Sequence, residues 1–397
     1  MFYNEKAFAL GSKRSIIREI FEYSKSRSRE IGAENVFDFS LGNPSVEPPK
    51  EVTDTLIDLI KNENATLLHG YTSAQGDLNV RTTIANKINR DFNVGISTDL
   101  IYMTCGAAAS LSICLKAVVN SGDECVVLAP FFTEYRVFVE NAGGKLVVST
   151  PKDITFQIDI DDFASKITPN TKAVIINSPN NPSGVVYTKE TVKNVCVILK
   201  AKQKEYNHPI FVIADEPYRE LVYGDISVPY FMNYYDNTFV CYSYSKSLSL
   251  PGERIGYIAV NPNMQDAKNL YLAVCGAGRS LGYVCAPSMF QRLVERCIDT
   301  KVNVQAYKEN RDLLYNNLTE YGYTCVKPDG AFYLFVKSPD VSATAFFEKA
   351  KKHEILVVPC DDFGVEGYVR IAYCVDKKRI ENSLPKFLEL AKEYKLK

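Results

Sequence analysis

Short runs of aliphatic and aromatic residues alternate with helical stretches between about residues 95 and 260. The runs are IYMT, ECVVLA, KAVIIN, PIFVIA, TFVCYS and IGYIAV. This alternation is typical of a mostly parallel sheet whose crossover helices cover its faces. One such helix is predicted over 188–206, where an apolar stripe opposes lysines and glutamates; the stripe is Val192, Val195, Ile198 and Leu199.

The pattern changes after about residue 288. A long helical stretch over 288–320 leads to the strand patterns GAFYLFVK, EILVVP and GYVRIAYC and to a charged terminal helix. This order is typical of a smaller α+β unit. The first 45 residues have little strand pattern and could pack on either unit; we assign them to the smaller one. We therefore predict an α/β fold with a large domain at 46–287 and a small α+β domain formed by 1–45 and 288–397.

Composition narrows the function classes. A net charge of -1 on 397 residues offers no field that would attract nucleic acid or an anionic membrane, so a small-molecule partner is expected. Eleven cysteines without a Cys-x-x-Cys motif and three separated histidines argue against a disulfide framework and a zinc site. The amino terminus is unlike a signal peptide and no apolar run has membrane-spanning length, which predicts a cytoplasmic protein.

The turns that follow the strand patterns contain the candidate chemistry, because ligands of open parallel sheets bind beyond the carboxyl ends of the strands. These turns are CGAAASLS, PFFTEY, SPNNPSG, DEPYREL and YSKSLSLPGER. Each has a structural explanation when taken alone: NPSG is a reverse turn, Asp215 a helix cap and Lys246 a surface lysine. Their shared order and spacing match one task, the binding of pyridoxal phosphate.

The ordered motifs NPSG, DEPY, SYSK and GERIG resemble those of the class I/II aminotransferases, which are pyridoxal-phosphate enzymes of fold type I. The resemblance extends from LGNPS at 41–45 to VRIAY at 369–373. It implies transfer of an amino group from an L-amino acid to a keto acid. The same constellation could serve a lyase acting on a β-substituted amino acid, which stays an alternative. A DNA-binding regulator is disfavoured, because the first 45 residues leave no room for a helix-turn-helix domain.

The resemblance implies a role for each residue around the coenzyme ring. Lys246 would form the imine with the aldehyde of the coenzyme, and Asp215 would keep the pyridine nitrogen protonated. Tyr218 and Asn181 would hydrogen-bond the phenolic oxygen of the ring, and Phe132 would stack on its face. Lys246, Asp215 and Tyr218 are the catalytic candidates. Formation of the imine would remove the positive charge of the lysine, and this would explain its burial among serines and tyrosines.

The coenzyme phosphate would lie at the start of a helix, whose unpaired amides and positive dipole end attract anions. Gly106, Ala107 and Ala108 of CGAAASLS fit that position. Ser243 would add a hydroxyl, and Arg254 would add a forked cation.

The resemblance also implies a homodimer with shared active sites, because the family adds a phosphate-binding tyrosine from the neighbouring subunit, here Tyr71. Arg370 would bind the α-carboxylate of the substrate, aided by Gly42 and Asn181. Arg279 lies where one branch of the family places an arginine for a distal carboxylate, and its alternative is a structural role. Arg279 favours aspartate as the amino donor, and the many tyrosines and phenylalanines leave an aromatic amino acid open as the other. The expected acceptor is 2-oxoglutarate.

Overall fold

The computed structural model describes residues 2–12 and 15–396. By packing, the chain divides into a first unit of Met1–Ser45, Gln305–Pro328 and Phe332–Lys397 and a second unit of Val46–Val304 and Asp329–Ala331. The domain bounds expected from the sequence stay a prediction.

The described residues form α-helices, β-strands and a few 3-10 turns. The helices are α1 (Glu5–Ser12), α2 (Ile16–Ile31), α3 (Lys50–Asn62), α4 (Ala65–His69), α5 (Leu78–Phe92), α6 (Ala107–Val118), α7 (Glu134–Ala142), α8 (Ile160–Lys166), α9 (Lys189–Tyr206), α10 (Tyr244–Ser247), α11 (Ala267–Leu281), α12 (Ser288–Arg296), α13 (Val304–Glu320), α14 (Ala343–Lys352) and α15 (Lys377–Glu393). The strands are β1 (Phe37–Asp38), β2 (Ile101–Thr104), β3 (Glu124–Leu128), β4 (Lys145–Ser149), β5 (Thr171–Asn177), β6 (Phe211–Asp215), β7 (Thr238–Ser243), β8 (Gly256–Val260), β9 (Cys325–Val326), β10 (Tyr333–Lys337), β11 (Ile355–Leu356), β12 (Val358–Pro359) and β13 (Tyr368–Ala372). The 3-10 turns are Ala33–Asn35, Thr98–Leu100, Phe231–Asn233 and Asp361–Phe363.

The second unit is built around a seven-stranded sheet of order β2-β8-β7-β6-β5-β3-β4. Strand β8 runs antiparallel to both of its neighbours, and the other strands are parallel. The central strands are apolar and buried on both faces, as expected of a parallel sheet covered by helices. The predicted α/β fold with a mostly parallel sheet is therefore confirmed.

Helix α9 shows how the sequence pattern becomes packing. Val192, Val195 and Leu199 of its apolar stripe are buried, and Ile198 at the edge of the stripe is partly buried against the same core. The helix begins after Thr188, whose side chain accepts a hydrogen bond from the amide of Thr191. The crossover helix predicted over 188–206 is thus present, but it begins one residue later, at Lys189, because Thr188 is its N-cap.

The first unit contains the α+β elements that the sequence predicts near the carboxyl terminus. Its larger sheet has the order β12-β13-β10-β9, and its smaller one pairs β1 with β11 in parallel. The run EILVVP is divided, because Ile355–Leu356 pairs with β1 whereas Val358–Pro359 pairs with β13.

The helical stretch predicted over 288–320 is not continuous. Helix α12 ends at Arg296 and α13 begins at Val304. The intervening segment includes Thr300, Val302 and Asn303, which have lower helix propensity than the residues on either side. The break separates two helices where the apolar pattern alone predicted one.

Candidate active site

Strands β5 and β6 end side by side, and their last residues are linked by hydrogen bonds. The sheet register pairs Asn177 with Asp215. The side-chain amide of Asn177 donates to the backbone carbonyl of Asp215 at 2.9 Å, and its carbonyl oxygen accepts from the backbone amide of Asn181 at 2.7 Å. The turn SPNNPSG is therefore fixed to the strand that carries the candidate acid.

Asp215 is buried at the end of β6, with 5% of its surface exposed. Its Oδ2 accepts a hydrogen bond of 2.6 Å from the hydroxyl of Tyr135, while its Oδ1 is buried without a hydrogen-bond partner among the described residues. Burial raises the pKa of Asp215 to about 7, against the lowering effect of the Tyr135 hydrogen bond. One carboxylate oxygen is thus held in place and the other remains available as an acceptor.

The segment after β3 supplies Tyr135, which donates to this carboxylate, and Phe132. The ring of Phe132 lies edge-on to that of Tyr135, with centroids 5.8 Å apart. Tyr218, three residues after Asp215, is also buried. Tyr135 thus connects Phe132, which its ring contacts, with Asp215, to which its hydroxyl donates.

A second cluster forms where β2 and β7 end and the antiparallel strand β8 begins. The register places Gly256 between Thr104 and Ser243. The turn after Thr104 contains Gly106, which has a φ of 85° and precedes the first residue of α6. A Cβ at this position would lie 2.7 Å from Nη2 of Arg254, so the arginine passes directly over the glycine. Only a residue without a side chain combines this backbone conformation with so close a guanidinium.

Serine hydroxyls complete this cluster, which we call the anion cradle and define as Gly106, Ser243, Ser245 and Arg254. The Oγ of Ser243 lies 2.7 Å from the Oγ of Ser245 and accepts from the amide of Ser245 at 3.2 Å. Nη1 of Arg254 donates to the Oγ of Ser245 at 3.3 Å. A forked cation, two hydroxyls and a helix amino terminus therefore converge, which is the donor set that a phosphate prefers.

Lys246 lies in the same turn of chain as the anion cradle. It follows Ser245 in the short helix α10, whose first turn is capped by Ser243. Its side chain is partly buried, whereas Ser245 and Ser247 on either side are buried. Lys246 thus directly follows Ser245, whose hydroxyl accepts from Arg254 and whose amide donates to Ser243.

Ala107 and Ala108 are the first two residues of α6, next to the glycine of the cradle, and Ala108 is exposed.

Tyr71 and Arg279 are not packed against the cradle: Tyr71 is 98% exposed, and Arg279 is exposed in the last turn of α11. Among the described residues of its own chain, Tyr71 thus has no packing role.

Arg370 and Gly42 meet within the first unit. Arg370 is 2% exposed and donates from Nη2 to the carbonyl of Ser40 at 2.7 Å. Its guanidinium lies over the ring of Tyr333, 4.6 Å from the centroid. A Cβ on residue 42 would overlap the hydroxyl of Tyr333, so glycine is required there for the ring to reach this position. A buried guanidinium held by a ring and a carbonyl is well placed to bind a carboxylate.

Sequence reasoning missed three residues that shape the site: Tyr135, Asn177 and Ser245. Tyr135 stands one helical turn after Phe132 in the turn PFFTEY, so a helical reading of that segment would have placed both on one face. Asn177 is the last residue of β5, and a polar side chain at the end of an apolar strand indicates a candidate site residue. Ser245 is the third residue of the motif SYSK.

The sequence matches the family model "Aminotransferase class I and II" over residues 34–387. The chain belongs to this family. The aminotransferase is 32% identical over 385 residues to a probable aspartate aminotransferase of Methanocaldococcus jannaschii, with 94% of this chain and 96% of the relative covered. It is 27% identical over 401 residues to the aromatic-amino-acid aminotransferase 2 of Thermococcus litoralis, with 96% and 97% covered. A crystal structure of an aminotransferase from Eubacterium rectale is 54% identical, covers 99% of both chains and has a TM-score of 0.97.

The aminotransferase depends on pyridoxal phosphate, and its residues fit this coenzyme. Asp215 presents a buried oxygen without a partner among the described residues, as a protonated pyridine nitrogen requires. The anion cradle offers the donors for the phosphate, and a side chain on Gly106 would intrude on it. The lyase alternative is not favoured, because the matched relatives are named as aminotransferases.

Two further features of the described residues concern other classes of function. In residues 2–12 and 15–396, no group of three or more His, Cys, Asp or Glu side chains is arranged to hold a metal ion. No helix in the same part of the chain is both long and apolar enough to cross a lipid bilayer.

Proposed function

We propose that this aminotransferase transfers the amino group of aspartate or of an aromatic amino acid to 2-oxoglutarate. The observation that carries the proposal for the site is the buried Asp215, with Oδ2 held by Tyr135 and Oδ1 available as an acceptor. The choice of donor is supported by the names of two relatives, a probable aspartate aminotransferase and an aromatic-amino-acid aminotransferase. Arg279 and the many tyrosines and phenylalanines are compatible with either donor.

Pyridoxal phosphate, when bound, supplies an aldehyde that takes up amino groups and a ring that withdraws electrons from the substrate's α carbon. In the proposed arrangement, Asp215 would accept a hydrogen bond from the pyridine nitrogen. Tyr218 and Asn181 would hydrogen-bond the phenolic oxygen, and Phe132 would pack against the ring. The cradle residues Gly106, Ser243 and Arg254, with Ala107 and Ala108 at the start of α6, hold the phosphate.

The reacting groups of the chain are then assigned as follows. Arg370, with Gly42 and Asn181, binds the α-carboxylate of the amino acid and so fixes the orientation of its α carbon. The amine of Lys246 would remove the proton from this carbon as general base and, as general acid, would deliver it to the aldehyde carbon of the coenzyme. The lysine must be neutral to act as a base, and it is partly buried in the helix that also contributes Ser245 to the cradle.

We also propose that the protein is a homodimer in which Tyr71 reaches the phosphate of the neighbouring subunit. The segment around Tyr71 adjoins another exposed apolar segment: the amide of Cys285 donates to the carbonyl of Ala74 at 3.4 Å. Tyr71, Tyr283 and Val284 are 98%, 40% and 41% exposed. An apolar surface of this kind is typical of an interface.

The cytoplasm is the compartment that we propose. All eleven cysteines are free thiols, which is typical of a reducing environment. Localisation of the tagged protein in cells tests this assignment.

The donor is tested by mixing the purified holoenzyme with aspartate, tyrosine or alanine in the absence of a keto acid and following the coenzyme absorbance. Aspartate or tyrosine should convert the coenzyme faster than alanine, since each offers a second group for recognition. The Lys246→Ala variant, which lacks the proposed base, should bind the coenzyme and convert it far more slowly. A preference for alanine would remove both proposed donors.

A further inference from the structure

A cavity of about 70 Å³, open to solvent on one side, adjoins the helix that carries Lys246. Three residues of this segment line it, namely Tyr244, Ser247 and Leu248, which share one face of the turn. Lys246 is not among the lining residues. The volume is several times the roughly 10 to 15 Å³ that one water molecule needs, so the cavity has room for a small ligand.

Aromatic rings form most of the wall. The ring of Tyr242 stacks on that of Tyr257 at 5.0 Å and meets that of Tyr244 edge-on, also at 5.0 Å. On another side, Phe92 stacks on Tyr230 at 4.0 Å. Because the faces of aromatic rings are electron-rich, such a wall attracts cations.

The one buried cation in the wall is already neutralised. Arg219 donates to both carboxylate oxygens of Glu216 at 2.5 Å and to the backbone carbonyls of Val228 and Pro229. Its guanidinium also lies over the ring of Tyr230, 4.9 Å from the centroid. Arg219 and Glu216 thus form a closed pair with no net charge.

Glu220 is a second carboxyl group beside the same guanidinium, so Glu216 and Glu220 share the single positive charge of Arg219. Glu220 also accepts a hydrogen bond from Tyr242. Its Oε2 is buried and has no hydrogen-bond partner among the described residues. The hydroxyl of Tyr230, a residue 4% exposed, is likewise buried without a partner in the described chain. Burial raises the pKa of Glu220, although the hydrogen bond from Tyr242 and the charge of Arg219 act in the opposite direction.

The charged residues at the mouth of the cavity do not neutralise Glu220. Lys87 lies 2.8 Å from Asp91 and 3.2 Å from Asp299, so the lysine is held by two carboxylates of the rim. Lys301 also lines the mouth and is exposed. The interior therefore presents rings, hydroxyls and one carboxyl group.

We propose that this cavity binds an ammonium ion, with the carboxylate of Glu220 and the hydroxyl of Tyr230 as its oxygen partners and the tyrosine rings as its apolar contacts. Ammonium fits better than an alkali cation, because the wall supplies many ring faces and few oxygens, whereas alkali and alkaline-earth cations favour a shell of oxygens. The site is separate from the proposed coenzyme site and shares with it the chain segment of α10.

The test follows thermal unfolding of the holoenzyme while ammonium chloride replaces sodium chloride at constant total chloride. Binding to the native state should give a saturable rise in Tm of about 2 °C. Glu220→Gln, which removes the charge and keeps the shape, and Tyr230→Phe, which removes the hydroxyl and keeps the ring, should each abolish the rise. Glu190→Gln, a matched change at an exposed position of α9, should leave it intact.

Several results would overturn the proposal. Equal Tm values in ammonium and sodium chloride would mean that only water occupies the cavity. A larger rise with potassium chloride would contradict the choice of ammonium. A rise that persists in Glu220→Gln, including one caused by reaction of ammonium with the coenzyme, would place the effect elsewhere; if that variant fails to fold, Tyr230→Phe decides. Catalytic activity does not enter the measurement, so the outcome is independent of the proposed function.

Discussion

The hydrogen bond from Tyr135 to Asp215 makes a quantitative prediction about coenzyme binding. Tyr135→Phe removes the hydroxyl that donates to Oδ2 at 2.6 Å and keeps the ring that packs against Phe132. The bond stabilises the ionised carboxylate in a buried site, where burial already raises the pKa of Asp215 to about 7. Its loss should therefore raise that pKa further.

The size of the effect follows from the strength of such bonds. A hydrogen bond to a charged group is worth about 2 kcal/mol, which corresponds to a rise in pKa of roughly one to two units. At pH 7 the carboxylate fraction of the wild-type apoprotein is near one half, and in the variant it falls to roughly a tenth or less. Because the protonated pyridine nitrogen requires the carboxylate, the Kd for pyridoxal phosphate should rise about 5- to 50-fold at pH 7.

The assay is a titration of the apoprotein with pyridoxal phosphate between pH 6 and 9. The ratio of variant to wild-type Kd cancels the titration of the coenzyme itself. It should shrink towards pH 9, where the wild-type carboxylate is ionised and roughly half or more of the variant's is. The matched control is Tyr235→Phe, which removes a buried hydroxyl that donates to the carbonyl of Ile210 at 2.8 Å, before the opposite end of β6. A ratio that does not vary with pH, or that Tyr235→Phe reproduces, would refute the reasoning.

The same shift affects stability. The folded pKa of Asp215 lies above its ordinary value of 3.8, so the native apoprotein binds more protons than the unfolded chain. The contribution of this group to the free energy of unfolding is therefore fully present below about pH 4 and is lost as the pH rises through 7. In Tyr135→Phe the loss should continue to higher pH, which denaturant unfolding of the apoprotein would detect.

Three further changes test other parts of the site. Gly106→Ala places a Cβ 2.7 Å from Arg254 at a φ of 85°. The Kd for pyridoxal phosphate should therefore rise about tenfold in a fluorescence titration. An unchanged Kd would contradict the proposal that the anion cradle binds the coenzyme phosphate. Arg370→Lys keeps the charge but loses the planar fork over Tyr333, so KM for the amino donor should rise more than about tenfold in steady-state assays, and an unaltered KM would contradict carboxylate binding. Tyr71→Ala should be nearly inactive, and mixing it with the inactive Lys246→Ala variant should restore activity if the sites are shared; no recovery after subunit exchange would refute the shared site.

The residues predicted from the sequence are mainly those that follow strands in recognisable turns. Lys246, Asp215 and Arg254 stand in motifs whose order along the chain mirrors the order of strand ends in the sheet, so topology brings them together without detailed packing information. The division of EILVVP between two sheets was not predictable in this way, because the apolar pattern does not specify which neighbour each half pairs with. The break between α12 and α13 was missed for a similar reason: helix propensity is a weak signal beside an apolar pattern.

The protonation state of Asp215 could not be predicted from the sequence, because it depends on contacts made by the folded chain. Asp215 was predicted as the acid, but its pKa depends on how completely it is buried and on a hydroxyl 80 residues away along the chain. Tyr135 is brought to it by the turn after β3 and the packing of α7, and neither the distance nor the donor can be inferred from the motif DEPY. A local motif thus specifies which chemical group is present, whereas the long-range contacts of the fold determine how strongly that group holds its proton. The Tyr135→Phe experiment separates these two contributions, because it leaves the motif intact and changes only the contact.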